Sequence, residues 1–143
     1  MINPEELIST LKTQHRTLQA DLAQALNDAT SGTGGKGATI VSALAKFKTD
    51  LLEHLKLENG EFYPDYLEKK IKRGEDVTGT KEFIRQMDDI GKAVMGFLDK
   101  YNTAESIDVS LTTFQEELPG IIRTLNVRIE TEEEGVYGIY LLM

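Results

Sequence analysis

Apolar residues return every three to four positions in four stretches of this chain, and each stretch reads as an amphipathic helix. The first has a clear beginning. Asn3 suits an N-cap, Pro4 the first helical position, and Glu6 follows three residues after the cap. Leu7, Leu11, His15, Leu18, Leu22 and Leu26 then form one stripe. Thr30 to Gly37, rich in glycine, breaks the pattern and reads as a flexible loop. No strand precedes it and its spacing does not match a P-loop, so a phosphate cradle is not expected. The second stretch runs from about Ala38 to about Arg73, with a bend expected at Pro64 and an inner stripe of Leu44, Phe47, Leu51, His54, Glu58 and Phe62. Gly74 to Gly79 is the next connection. The third spans Thr80 to Tyr101 and turns Ile84, Met87, Ile90, Val94, Phe97 and Tyr101 inward. Asn102 to Asp108 reads as a polar turn. The fourth carries Leu111, Phe114, Leu118, Ile121, Leu125, Arg128, Glu132 and Val136, with Pro119-Gly120 expected to kink or break it. Nothing reads as strand. The expectation is an all-α, antiparallel up-down four-helix bundle, a single domain over 1–143, with both termini on the same side.

Polar side chains interrupt these stripes. His15, His54, Glu58 and Glu132 fall on faces that otherwise read as core. A carboxylate is almost never fully buried unless it is paired or bound to a metal. The chain has only two histidines, and both lie on these faces. Neutral imidazole with carboxylate is a ligand set that suits iron, zinc or manganese.

One short segment occurs twice. His54 to Pro64 and Arg128 to Gly138 superpose with Glu58 on Glu132, Phe62 on Val136 and Tyr63 on Tyr137. Spacing i,i+4 puts His54 and Glu58 on one helix face, and Arg128 and Glu132 likewise. Two such half-motifs on facing helices bring two carboxylates together, which is how bundles build metal sites. The structural alternatives are a hydrogen-bonded core histidine and, for Glu130 to Glu134, a solvated charged face.

Composition narrows the partners. The net charge of −8 argues against a sequence-independent binder of nucleic acid or of an anionic membrane. No apolar run is long enough to span a bilayer. Cysteine is absent, which removes disulfides, thiolate ligands and thiol nucleophiles and fits a reducing compartment. The acidic start lacks the basic end and apolar core of a signal peptide, so a cytoplasmic location is the default reading.

The residues resemble the hemerythrin-like, HHE-type cation-binding family over nearly the whole chain. That family carries a His on its first helix, His-x-x-x-Glu ending in an aromatic residue and Pro on its second, at least one His on its third, and a second His-x-x-x-Glu on its fourth. His15 matches the first position. His54, Glu58, Tyr63 and Pro64 match the second motif, and Glu132 and Tyr137 match the fourth. The resemblance implies a non-haem di-iron centre in such proteins, which bind O2, sense redox state or handle iron. It also implies that one iron takes the histidines of helices one and two, the other those of helices three and four, with the carboxylates bridging. Here Met87 falls where the third-helix His is expected, Arg128 stands for the fourth-helix His, and Gly138 for the closing Pro. The half-site His15, His54, Glu58 and Glu132 is complete and the other half is lost.

Arginine stays protonated and cannot ligate a metal. Its guanidinium either sits where the second ion would be, paired with Glu58 and Glu132, or reaches outward. Met87 is either an apolar plug in the remaining space or ordinary core.

Three functions follow as expectations. The first is a metal-binding module with one non-haem iron (or zinc) held by His15, His54, Glu58 and Glu132. It would meet O2 or another small diatomic and serve sensing, metal handling or signalling. O2 carriage that draws two electrons needs two irons, so transport is not expected. The alternative is a metal-free bundle acting as a regulatory or protein-interaction domain. A phosphotransfer bundle using His54 is disfavoured by the Glu at +4 and by the expected burial of that histidine. No nucleophilic triad is visible, so an enzyme reading has little support.

Overall fold

A computed structural model describes residues 3–31 and 36–143. Gly32 to Gly35, the middle of the expected glycine loop, and the first two residues lie outside the described residues. The first rod of the bundle is α1 (Pro4–Thr30), whose Asn3 side chain accepts from the Glu6 amide at 2.8 Å. The second is α2 (Lys36–Leu57), continued through one π-helical turn (Glu58–Phe62) into α3 (Tyr63–Lys72). The third is α4 (Thr78–Lys100). A short α5 (Ala104–Asp108) leads to the fourth, α6 (Leu111–Thr131), which passes through a second π turn (Glu132–Val136) into α7 (Tyr137–Leu141). No strand occurs among the described residues. Along the bundle α1 packs on α2 and α6, and α4 packs on α6. This is the all-α four-helix bundle that the apolar periodicity predicts.

Three local expectations are corrected. Pro64 does not interrupt the second rod; it sits in the first turn of α3, where its missing N–H is harmless, and the departure from α-helix is the π turn just before it. Pro119 does not break α6, which runs through it. Phe114 and Leu118 before the proline and Leu125 after it are all buried, and this packing outweighs the local preference. The stretch 102–108 is not merely a polar turn. Thr103 and Ser106 form a reciprocal capping box, and Ile107 is fully buried. The Gly37 amide donates to Asp108 Oδ1 at 3.0 Å, and a Cβ on Gly37 would lie 2.4 Å from the Ala104 carbonyl oxygen. Only glycine lets α5 seat on the start of α2.

The core divides into two clusters along the bundle axis. One is aliphatic and aromatic at the loop end, built from residues such as Leu22, Phe47, Phe97 and Phe114. The other gathers Leu7, Leu11, Phe62, Tyr63, Met87, Tyr137 and Tyr140 near the two ends of the chain. Between them every rod contributes a different kind of residue: His15 from α1, His54 and Glu58 from the second rod, Gly91 from α4, Arg128 and Glu132 from the fourth. Burial of the flanking apolar stripes therefore carries these polar groups into the interior.

Candidate metal centre

The two π turns begin at Glu58 and Glu132, the matched carboxylates of the repeat. Five residues on an α-helix turn through about 140° beyond one full circle, so Tyr63 would lie well off the face of Glu58. The π turn absorbs one extra residue, and the amides of Tyr63 and Tyr137 bond the carbonyls of Glu58 and Glu132, five residues back. Each tyrosine then reaches the carboxylate of the other copy. Tyr63 donates to Glu132 Oε2 at 2.5 Å and Tyr137 donates to Glu58 Oε2 at 2.7 Å. Burial first, and the neighbouring carboxylates next, push both phenols above their ordinary value, so they remain donors.

His15, His54, Glu58 and Glu132 converge. Each is at most 2% exposed, and one ligand atom from each lies within 4.8 Å of the others. His54 Nδ1 faces Gln14 Oε1 at 2.7 Å and His15 Nδ1 faces Glu133 Oε2 at 2.6 Å. Both partners are acceptors, so Nδ1 carries the hydrogen in each ring and the Nε2 lone pairs point inward. Burial lowers the pKa of His15 despite its carboxylate neighbours, which keeps its imidazole neutral. His54 Nε2 lies 3.2 Å from Glu58 Oε2, and His15 Nε2 lies 3.4 Å from Glu132 Oε1 and 3.9 Å from Glu58 Oε2. Ligands about 2.1 Å from one tetrahedral or octahedral ion stand about 3.0–3.4 Å apart. Glu132 Oε1 is buried with no hydrogen-bond partner among the described residues. Acceptor atoms converging in this way, one of them without a partner, fit a cation between them; a small cavity of about 10 Å³ borders His15, His54 and Glu132 but not Glu58.

Arg128 supplies positive charge beside them. It is 3% exposed, its Nη2 donates to Glu58 Oε1, its Nη1 donates to the Met87 carbonyl at 2.8 Å, and its Nε is 3.6 Å from Glu132 Oε2. Of the two sequence alternatives, the inward one holds. Met87 contributes its carbonyl, while its side chain belongs to the aromatic cluster; the α4 residue against the guanidinium is Gly91. The carboxylates divide their roles. Burial alone would raise Glu58, but the charge of the Arg128 guanidinium bonded to it favours its ionised form and holds it well below its ordinary value. Burial and the Glu58 charge push Glu132 well above its own. With no metal bound, this favours the protonated form at Glu132 and the ionised form at Glu58.

The profile of the hemerythrin HHE cation binding domain matches residues 6–140, nearly the whole chain. The chain belongs to that family. No curated protein and no solved structure gives a significant match. In this member of the hemerythrin family the buried polar cluster contains two histidines, two carboxylates and an arginine.

Two residues of this hemerythrin-like centre were not foreseen from sequence. Glu133 lies in the acidic run that reads as a solvated face, yet it bonds both His15 and Arg16. Gln14 holds His54. Both sit immediately beside an inner-stripe residue, at the edge of the buried face, and that flanking position is the only signal they carry. No helix of the described chain is long and apolar enough to cross a membrane.

Proposed function

We propose that this hemerythrin-family chain binds one non-haem metal ion, iron in preference to zinc, through His15, His54, Glu58 and Glu132. Its role would be sensing or metal handling in the cytoplasm rather than O2 transport. The carrying observation is the inward-facing acceptor set, with Glu132 Oε1 left without a partner. A single iron would supply a one-electron redox change and a position for a small diatomic. The residues themselves do the rest. Glu133 and Gln14 aim the imidazoles, Tyr63 and Tyr137 hold one oxygen of each carboxylate, and the aromatic cluster keeps water out. Arg128 stands against a second ion, because it already compensates Glu58.

One observation favours the alternative of a metal-free regulatory bundle: the Arg128 guanidinium pairs with Glu58 and faces Glu132, so positive charge stands beside the carboxylates without any metal. Elemental analysis of untagged protein, with optical spectra under air and under reductant, separates the two. The proposal expects close to one equivalent of iron or zinc. Protein that stays metal-free after anaerobic incubation with ferrous iron and with zinc would establish the alternative.

A further inference from the structure

Three seams of the bundle close by helix packing, α1 on α2, α1 on α6 and α4 on α6. Along the fourth, between α3 and α4, the surface keeps an open groove of about 530 Å³. That lies within the range of about 300–1,000 Å³ that holds drug-sized ligands. Its middle is apolar, made by the Tyr63 ring, Pro64 and Leu67 from the second rod and by Ile84 from α4. Its ends are polar and differ in sign. Near the connection between α3 and α4 stand Lys81 and Arg85, and beside them Lys70 crosses from α3 to donate to the Thr80 hydroxyl at 3.0 Å. At the other end stand Asn59 and Asp88, with Lys92 at 3.0 Å from the aspartate. Neither Lys81 nor the Asn59 side chain has a partner among the described residues. Arg85 bonds Glu82 and Asp89, but all three side chains are more than half exposed, and such pairs hold weakly. The chain as a whole carries −8, yet charges farther off than about 8 Å are largely screened at physiological ionic strength. The local basic end therefore decides what this groove attracts.

We propose that this groove binds a monocarboxylate with an apolar body. The carboxylate sits at Lys81, with Arg85 and Lys70 beside it, and the body lies over Leu67, Pro64 and Ile84. Burial of that body supplies the driving force and the ammonium fixes its direction. From Leu67 back to Asn59 the second rod advances roughly 12 Å, at about 1.5 Å per residue, which limits the body to about the length of a medium-chain acid. Asp88 at the far end opposes a second negative group, so a dicarboxylate of that length fits worse. The floor includes Tyr63, whose hydroxyl holds Glu132. The groove thus lies one side chain from the candidate metal centre, while its own chemistry requires no metal.

Decanoate, titrated into metal-free protein below its micelle concentration and followed by amide chemical shifts in NMR, tests the site. Saturable shifts are expected at Leu67, Lys81 and Ile84, with none around Lys12, which lines a separate groove against α1. Decanol should bind several-fold more weakly, and decylamine and decanedioate should also bind more weakly than decanoate. Lys81→Glu should weaken decanoate several-fold and leave decanol unchanged, whereas Lys12→Glu should alter neither. Ile84→Glu should remove both. Should Ile84→Glu fail to fold, the exposed Lys81→Glu carries the contrast by itself. Absence of saturable shifts in the groove, equal affinity for decanoate, decanol and decylamine, or decanoate binding in Lys81→Glu like that of the parent would overturn the site. Metal content enters none of these outcomes, so the groove stands or falls independently of the metal-binding reading.

Discussion

Arg128→Ala removes the one guanidinium that faces both buried carboxylates. The residue is 3% exposed, and its three contacts are to Glu58, Glu132 and the Met87 carbonyl. Without it, metal-free protein can avoid two buried negative charges only by protonating Glu58 as well as Glu132. A carboxyl that titrates at about 4.3 when unfolded costs about 3.7 kcal/mol to keep protonated at pH 7, at about 1.36 kcal/mol per pH unit. That figure agrees with the roughly 3–5 kcal/mol for stripping one partner from a buried pair. In a chain of 143 residues the melting temperature should fall by about 10 °C, at about 3 °C per kcal/mol. The pH dependence has a definite sign. In the parent Glu58 is depressed, so its contribution is present above the unfolded value and is lost as pH falls through the folded one. In the variant Glu58 is raised, so stability is lost as pH rises above about 4.3. The gap between the two proteins should therefore widen by about 1.4 kcal/mol per pH unit from about pH 4.3 to pH 7. Thermal and urea melts of chelator-treated parent and variant across that range measure it. A gap below about 1 kcal/mol at pH 7, the scale of an exposed ion pair, would refute the compensating role of Arg128, as would a gap independent of pH.

Glu132→Gln should abolish metal uptake yet stabilise the metal-free protein at neutral pH. The raised pKa of Glu132 makes the parent lose stability as pH rises from the unfolded carboxyl value toward the folded one, and the amide removes that slope; melts from acid to neutral pH give the answer. Glu133→Gln should weaken metal affinity by about 10–100-fold, because the Nδ1 contact of His15 loses its charge; competition against a chelator reads this out, and an unchanged Kd would show that Glu133 serves only Arg16. Met87→His combined with Arg128→His should raise the content from one metal per chain to two by elemental analysis, whereas Arg128→His alone should not reach two.

The helices, their inward faces and the convergence of His15, His54, Glu58 and Glu132 were legible in the order of residues, because burial follows apolar periodicity and each polar residue sits in register with the stripe. The repeat itself pointed to paired carboxylates. Its consequence did not show, since a tyrosine five residues after a glutamate lies off the face of any straight α-helix. The π turns at Glu58–Phe62 and Glu132–Val136 bring Tyr63 and Tyr137 to the opposite carboxylates, and they persist because Phe62 and Val136 are buried in the aromatic cluster at the same time. Pro119 shows the same limit from the other side: a local breaker is overridden by Leu118 and Leu125 packed around it. Arg128 could be placed on the inner face by spacing, but whether it turned inward depended on room beside it. That room is the missing side chain of Gly91 on another helix, a juxtaposition that no one-dimensional pattern contains. Glu133 and Gln14 belong to the same class, since their roles arise from residues more than twenty positions away that only packing brings within hydrogen-bond reach. Periodicity settles which face is buried; the charge state and shape of what is buried there depend on which rods meet.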